Sequence, residues 1–210
     1  MKRYKKDNEE NEMMAVNENS YSAVFGLIGK ILYKYPDIEF YKEIDNEKLF
    51  DDIPLEISNE YIKTAEKILH NFHTNKDEKK YDKLVSDYQD LFVGVNGVVK
   101  APVWESIYTS CEPIMFQHST LDARQWYARF GLKIEKLYNE PDDHAGQLLM
   151  FFAYLLSNEE TKIEADEFFK THINNWINEF ADNIIKGAET DFFKGTAYLL
   201  KGTAEYYSKQ

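Results

Sequence analysis

The sequence is poor in cysteine, and Cys111 is the only one among its 210 residues. A single cysteine cannot form a disulfide within the chain, and nothing else indicates an oxidising compartment. No apolar run approaches the roughly 18 residues that a membrane-spanning helix needs. The two common phosphate-binding patterns, GxGxxG and GxxxxGK followed by Ser or Thr, are also missing. These absences argue against a disulfide-rich secreted protein, a membrane-spanning protein and a phosphate-loop enzyme.

Basic residues are outnumbered, with 25 Lys and Arg against 37 Asp and Glu, and the formal net charge is -12 at pH 7. Nucleic acids and anionic membranes are polyanions that repel such a surface, so neither is expected as the main partner. The charge favours a basic or neutral partner instead.

The first 12 residues are charged and no apolar segment follows them, so they do not resemble a secretion signal. We therefore expect a cytoplasmic protein in which residues 1–16 form a disordered tail and the remainder, residues 17–210, is folded.

A metal site is not expected. His70 and His73 lie three residues apart, close to Glu66, and could in principle share a metal ion. A ferritin-like carboxylate site needs the same motif again on a second helix, and the sequence has no second copy. We expect Cys111 to be a small core or boundary residue rather than a metal ligand.

Apolar residues recur at helical spacing through most of the chain, and no segment alternates convincingly as a half-buried strand does. The predicted class is all-α, with about eight to ten helices. Gly26 and Gly29 on the first helix indicate a close contact with another helix, and residues 148–156 are apolar on nearly all sides, which predicts a central, buried helix. The predicted buried stripe of the first helix is Tyr21, Val24, Phe25, Ile28, Ile31, Leu32 and Tyr35.

The segment 139–146, Asn-Glu-Pro-Asp-Asp-His-Ala-Gly, separates two helix-rich halves. Pro141 ends the preceding helix and allows a new one to begin behind it. Asp142 and Asp143 then fall at the cap or first turn of the new helix, where carboxylates accept bonds from free N–H groups. Capping does not explain His144, because an imidazole gains little at a helix start. We therefore predict that His144 and the two acids form a hydrogen-bonding site for a ligand.

Residues 94–102 contain two glycines and a proline and are predicted to form a loop. Trp104 and Tyr108 follow that loop. Large aromatic side chains with a polar tip either anchor an interface or fill a core, and the sequence leaves both roles open for this pair.

Several fragments together resemble the TorD/DmsD/NarJ family of redox-enzyme maturation chaperones. Residues 88–94, Tyr-Gln-Asp-Leu-Phe-Val-Gly, and residues 101–108, Ala-Pro-Val-Trp-Glu-Ser-Ile-Tyr, are similar to two of its motifs. Glu-Pro-Asp-Asp-His at 140–144 resembles its hinge, and the apolar helix that begins at Gly146 follows as in the family. The order and spacing of the fragments cover roughly residues 20–205 and favour the TorD/DmsD branch.

The resemblance implies a TorD-like, all-helical chaperone without catalytic activity and without a cofactor. Its N-terminal part would run to about residue 138, followed by a hinge at 139–146 and a C-terminal part at 147–208. The implied partner is the twin-arginine signal peptide, or leader, and the apo-form of a molybdopterin oxidoreductase, which the chaperone holds back from export until its cofactor is inserted. The leader-binding residues that the resemblance implies are Tyr88, Leu91, Phe92, Pro102, Trp104, Glu140, Asp143 and His144.

The chemistry of these residues is compatible with that role. A leader offers two guanidinium groups followed by an apolar segment, so its binder needs carboxylates beside an apolar groove. Glu140 and Asp143 can supply the acids, and the groove can be supplied by Leu91, Phe92, Pro102 and Trp104.

Two other functions stay open. Asp143 and His144 could form a general acid–base pair, or belong to a nucleotide-binding or nucleotide-hydrolysing protein, although the sequence has no recognisable nucleophile or phosphate loop. The chain could also be a helical scaffold that does not bind a leader. A monomer and a domain-swapped dimer are both compatible with the sequence.

Overall fold

The structure is a computed structural model, and the residues it describes are 20–51, 53, 55, 59–110, 118–133 and 140–209. Within them the chain forms ten α-helices, a π-helical turn and one short 3-10 helix. The α-helices are α1 (residues 20–33), α2 (Ile38–Asn46), α3 (Glu60–Thr74), α4 (Lys80–Tyr88), α5 (Glu105–Thr109), α6 (His118–Arg129), α7 (Ala145–Leu156), α8 (Lys162–His172), α9 (Ile177–Gly187) and α10 (Asp191–Tyr207). The π-helical turn is Gln89–Val93, and the 3-10 helix is Glu159–Thr161.

The all-α class is confirmed, because the described residues contain no strand and only one isolated β-bridge, between Trp104 and His144. None of the described helices combines the length and apolarity of a membrane span. The predicted disordered tail, residues 1–16, and Cys111 lie outside the described residues.

One hydrophobic core collects apolar side chains from α1 through α10. The predicted stripe of α1 is buried from Tyr21 to Leu32. Tyr35 is the exception, since α1 ends before Pro36 and leaves Tyr35 47% exposed. The hinge role predicted for residues 139–146 stays a prediction.

The predicted central helix is α7, whose apolar residues are buried on most sides, with Tyr154 as an exposed exception. It crosses α1 at two glycines, which confirms the predicted close contact. A Cβ atom at Gly146 would lie 2.6 Å from Tyr33 Cβ, and one at Gly29 would lie 2.9 Å from the Gly146 carbonyl oxygen. The two backbones therefore meet where no larger residue fits, and this crossing places Tyr33 beside the start of α7.

Candidate functional site

The two segments that the sequence singled out lie side by side at the start of α7. Trp104 and His144 form an antiparallel β-bridge. On either side of it, the Ala145 N–H donates to the Val103 carbonyl at 2.6 Å, and the Glu105 N–H donates to the Asp143 carbonyl at 3.1 Å. The backbone thus holds residues 103–105 against residues 143–145.

The prediction that Asp142 and Asp143 cap the new helix is wrong. Asp143 is fully buried, and its carboxylate accepts hydrogen bonds from the Ser106 backbone N–H at 2.9 Å and from the Thr120 hydroxyl at 2.8 Å. The Asp142 carboxylate is paired with Arg124 at 2.6 Å. Both acids bind donors from α5 or α6 rather than the free N–H groups of α7, so they fix neighbouring helices in place.

The expectation that capping does not explain His144 is also wrong, because His144 is the residue that caps α7. Its Nδ1 atom accepts a hydrogen bond from the Gly146 N–H at 3.0 Å, which requires that nitrogen to be unprotonated. Burial lowers the pKa of His144 to about 3, because a charged imidazole is penalised away from water. The ring is therefore neutral at physiological pH and acts as a cap and as a wall of the site.

Five of the eight predicted site residues line one groove, which we call the first groove. Its volume is about 250 Å³, and its lining consists of Tyr33, Tyr35, Tyr88, Phe92, Val93, Val103, Trp104, Glu140 and His144. The Tyr88 and Phe92 rings pack edge to face with centroids 5.0 Å apart, and the Tyr88 hydroxyl donates to the Leu32 carbonyl at 3.1 Å. The wall is thus mostly aromatic and held by contacts with α1.

Among the residues that the structure describes, Glu140 is the one carboxylate that lines the first groove. Its Oε2 atom accepts a hydrogen bond from the indole N–H of Trp104 at 3.1 Å, and both residues are half-buried. A half-buried carboxylate among aromatic rings can bind a cation in two ways at once, through charge-assisted hydrogen bonds and through the ring faces. Arginine suits such a site because its guanidinium is planar and stacks on aromatic rings.

A buried acid fixes the residue next to Trp104. The Glu105 carboxylate lies 2.9 Å from His172 Nδ1, so α5 is tied to the end of α8. Burial raises the pKa of Glu105, although the hydrogen bond from His172 opposes that shift. The position of Trp104 is therefore fixed by two buried carboxylates close to it: that of Glu105, which contacts His172, and that of Asp143, which contacts Ser106 and Thr120.

Leu91, Pro102 and Asp143 do not line the first groove. Leu91 is fully buried, and its carbonyl accepts a hydrogen bond from the Ala101 N–H at 2.8 Å. The Pro102 carbonyl accepts a hydrogen bond from the Tyr108 hydroxyl at 2.8 Å. These residues support the groove wall from behind.

Sequence reasoning missed Tyr33, Tyr35 and the π-helical turn at Gln89–Val93. The turn continues α4 and ends at Gly94, whose left-handed backbone (φ 74°) suits glycine. It carries Phe92 and Val93 to the groove wall, and such turns are frequent at functional sites. The one signal for Tyr35 was its place directly before Pro36, where a helix usually ends.

The described residues show no group of three or more His, Cys, Asp or Glu side chains placed to hold a metal ion. His73 Nδ1 lies instead 2.8 Å from the Asp45 carboxylate, and His70 is 3.7 Å from Asp51.

As to acid–base chemistry, no hydrogen bond joins the side chains of Asp143 and His144 in the part of the chain that the structure describes. Their arrangement therefore does not favour the acid–base pair.

Comparison with known proteins identifies several relatives. The profile of the family described as nitrate reductase delta subunit matches residues 56–182. The Tat proofreading chaperone DmsD of Salmonella typhimurium is 31% identical over 139 residues, which cover 66% of this chain and 65% of that protein. A Haemophilus influenzae relative is 29% identical over 124 residues, covering 59% of this chain and 60% of its own length. These alignments span less than two thirds of either relative.

A solved structure described as a redox enzyme maturation protein from Archaeoglobus fulgidus has a similar fold. It superposes with a TM-score of 0.55 and covers 90% of this chain and 93% of its own, at 21% sequence identity. At that identity the likeness concerns the fold alone.

Proposed function

This chain belongs to the nitrate reductase delta subunit family, which includes the TorD, DmsD and NarJ chaperones, and on that premise we propose that it is a cytoplasmic chaperone for an exported redox enzyme. It binds the twin-arginine leader and the apo-form of a molybdopterin oxidoreductase, assists cofactor insertion and delays export until folding is complete. It performs no catalysis, and it needs no cofactor, metal ion or nucleic acid.

The observation that carries this proposal is the pairing of Glu140 with Trp104 in the first groove. A leader arginine enters with its guanidinium on the Glu140 carboxylate and its plane against aromatic rings. A single carboxylate can be shared by a guanidinium and the indole N–H because it has two oxygens and several acceptor positions. The groove thus offers what an arginine side chain requires.

The buried residues of the predicted site act by positioning the groove. Asp143 joins α5 and α6 to the segment that carries Glu140, and His144 caps α7 beneath the aromatic wall. Leu91 and Pro102 support that wall from behind. Replacing any of these residues is expected to affect binding through the shape of the groove.

Glu140→Gln is the direct test, with affinity for a synthetic twin-arginine leader measured by isothermal titration calorimetry. Glutamine keeps an oxygen for the Trp104 N–H, so the groove stays intact while its charge is lost. A hydrogen bond to a charged group contributes about 1.5–3 kcal/mol, so the dissociation constant should rise about 10- to 100-fold.

Glu167→Gln on α8 is the matched control, because Glu167 is exposed and lies outside the lining of the first groove. It removes the same charge and should leave the affinity near that of the wild type. Equal affinity of Glu140→Gln and the wild type, with the fold intact, would contradict the site. Failure of the wild type to bind any twin-arginine leader would contradict the function.

Tryptophan fluorescence gives an independent measurement. Trp104 is half-buried in the first groove, whereas Trp176 is fully buried in the core. Leader binding should therefore change the emission of the wild type, and most of that change should disappear in Trp104→Phe. A change of the same size in Trp104→Phe would place the leader elsewhere.

A further inference from the structure

The first groove is too small for a whole leader. Its volume of about 250 Å³ lies below the range of about 300–1,000 Å³ that is typical of ligand pockets. A leader presents arginines and then an apolar segment of about 7–15 residues. If an arginine occupies the first groove, the apolar segment must lie on a neighbouring surface.

A second groove lies next to the first one, along α7. Its volume is about 280 Å³, and its lining is Tyr33, Tyr127, Leu132, Lys133, Gln147, Met150, Phe151 and Tyr154. Leu132 and Tyr154 are 37% and 42% exposed, so apolar surface is open to a ligand at the rim. An exposed apolar groove of this kind suits an apolar peptide segment.

Tyr33 belongs to both grooves. Its ring packs edge to face on His144 of the first groove, with centroids 5.3 Å apart, and its hydroxyl oxygen accepts a hydrogen bond from Gln147 Nε2 of the second at 3.0 Å. One side chain thus forms a common wall, and a peptide that leaves the first groove past Tyr33 enters the second.

Gln147 offers the second groove an unused polar atom. The residue is 2% exposed, and its Oε1 atom has no hydrogen-bond partner in the part of the chain that the structure describes. If the amide is turned over, Oε1 accepts from the Tyr33 hydroxyl and Nε2 is the atom left over. In either orientation one amide atom is available to a peptide bond, and a buried polar atom without a partner is costly to the free protein.

The charges of the two grooves set the direction of the leader. Glu140 lies in the first groove and Lys133 in the second. On the basis of the proposed function, we propose that the apolar segment after the arginine pair lies in the second groove. There the Gln147 amide forms a hydrogen bond with the backbone of that segment. Lys133 disfavours the arginines at this end, and Glu140 attracts them to the other.

The length of the α7 face matches this occupant. From His144 to Tyr154 the helix rises about 15 Å at about 1.5 Å per residue. An apolar segment of about 7–15 residues in helical form spans about 10–22 Å. A helical segment can therefore lie along α7 from Tyr33 to Tyr154.

The test compares two peptides on the full-length protein: a complete twin-arginine leader, and a shorter one that ends before the apolar segment. Tyr154→Lys and Leu132→Lys place a charge at the rim of the second groove at positions that are already partly exposed. Each variant should weaken binding of the complete leader about tenfold, the size expected for one lost apolar contact. Neither variant should weaken binding of the shorter peptide more than the control variant, Val98→Lys, does.

Val98→Lys is the matched control, since it adds the same charge at a 71% exposed residue of the loop after the first groove. It should leave both affinities near the wild-type values. If Val98→Lys weakens binding of the complete leader and Tyr154→Lys does not, the apolar segment lies over that loop and the inference is overturned. If Glu140→Gln weakens binding of both peptides while no second-groove variant changes the affinity for either, the inference fails and the proposed function stands. Absence of binding of either peptide to the wild type overturns both.

Discussion

Gln147 donates a hydrogen bond from Nε2 to the Tyr33 hydroxyl oxygen at 3.0 Å, while its Oε1 atom is buried without a partner among the described residues. A site kept ready for a ligand commonly costs the free protein stability. We therefore expect that substituting Gln147 changes leader binding and folding stability in opposite directions.

Gln147→Met should make the free protein more stable and the complex weaker. Methionine has a similar length and no amide, so the cost of an unsatisfied buried atom, about 1–3 kcal/mol, is removed at the loss of one hydrogen bond. We expect a gain of about 1 kcal/mol in urea denaturation, and a rise of about 2- to 10-fold in the dissociation constant of the complete leader. If Gln147→Met leaves the affinity for the complete leader unchanged, or lowers the affinity for the shorter peptide equally, the Gln147 amide does not contact the apolar segment.

His144 makes the free energy of unfolding depend on pH in the range between its pKa in the folded protein and its pKa in the unfolded chain. Its pKa in the folded protein is about 3, below the ordinary value of 6.5 that applies when unfolded. The unfolded chain therefore binds the extra proton first, so stability is intact above pH 6.5 and falls as the pH decreases towards 3. The contribution of this residue approaches about 1.4 kcal/mol per pH unit in that range.

His144→Asn tests this pH dependence, because asparagine also caps a helix but does not titrate. Urea denaturation at pH 6.5 and 5.0 should show that the wild type loses about 2 kcal/mol more than the variant. His70→Asn is the control for replacing a histidine by asparagine, since the His70 side chain is 66% exposed and does not line the first groove. Parallel slopes for the wild type and His144→Asn would show that the imidazole is charged, or free of its cap, in the folded protein.

Gly29 and Gly26 on α1 form a matched pair for testing the helix crossing. A Cβ at Gly29 would lie 2.8 Å from Met150 Cγ and 2.9 Å from the Gly146 carbonyl oxygen, whereas one at Gly26 would meet Ala153 Cβ at 3.4 Å, an ordinary contact. Gly29→Ala should therefore destabilise the protein by about 1–3 kcal/mol, because backbone must move. Gly26→Ala should be neutral or stabilising by up to about 1 kcal/mol through helix propensity.

Urea denaturation of the two variants provides the measurement, and leader affinity provides a second one. Gly29→Ala should also weaken leader binding, because Tyr33 follows Gly29 by one helical turn and forms the wall between the grooves. Equal stability of the two alanine variants would mean that α1 and α7 do not approach each other as closely as the structure shows.

Helical periodicity predicted the buried faces well because every helix turns one stripe towards a common core. The stripe of α1 and the central position of α7 followed from the spacing of apolar residues. The stripe prediction was wrong at Tyr35, where α1 ends short of Pro36 and the side chain reaches the first groove instead.

The site was harder to predict because its contacts join distant parts of the chain. Asp143 was predicted as a cap from local rules, but donors on Ser106 and Thr120 compete for its carboxylate, and these become neighbours only after folding. The role of Tyr33 depends on the approach of Gly29 to Gly146, which spacing indicated only as an unassigned close contact. Motifs indicated candidate residues, and tertiary contacts decided which of them line the first groove.

A change of the leader itself separates long-range attraction from recognition in the groove. The net charge of -12 should speed the encounter with any basic peptide, and this effect should weaken as salt is added. A leader with two lysines in place of its two arginines carries the same charge, so its association rate at low salt should match that of the natural leader.

The dissociation rates should differ. Guanidinium stacks on aromatic rings and pairs with a carboxylate in a fixed plane, whereas the ammonium of lysine is a compact, strongly hydrated point charge. Glu140 beside Trp104 should therefore retain the arginine leader longer, and we expect the lysine leader to dissociate about tenfold faster in stopped-flow fluorescence. In Glu140→Gln that difference should shrink, because the carboxylate that distinguishes the two cations is lost. Equal dissociation of both leaders from the wild type would mean that net charge alone attracts the peptide and that the groove does not recognise arginine.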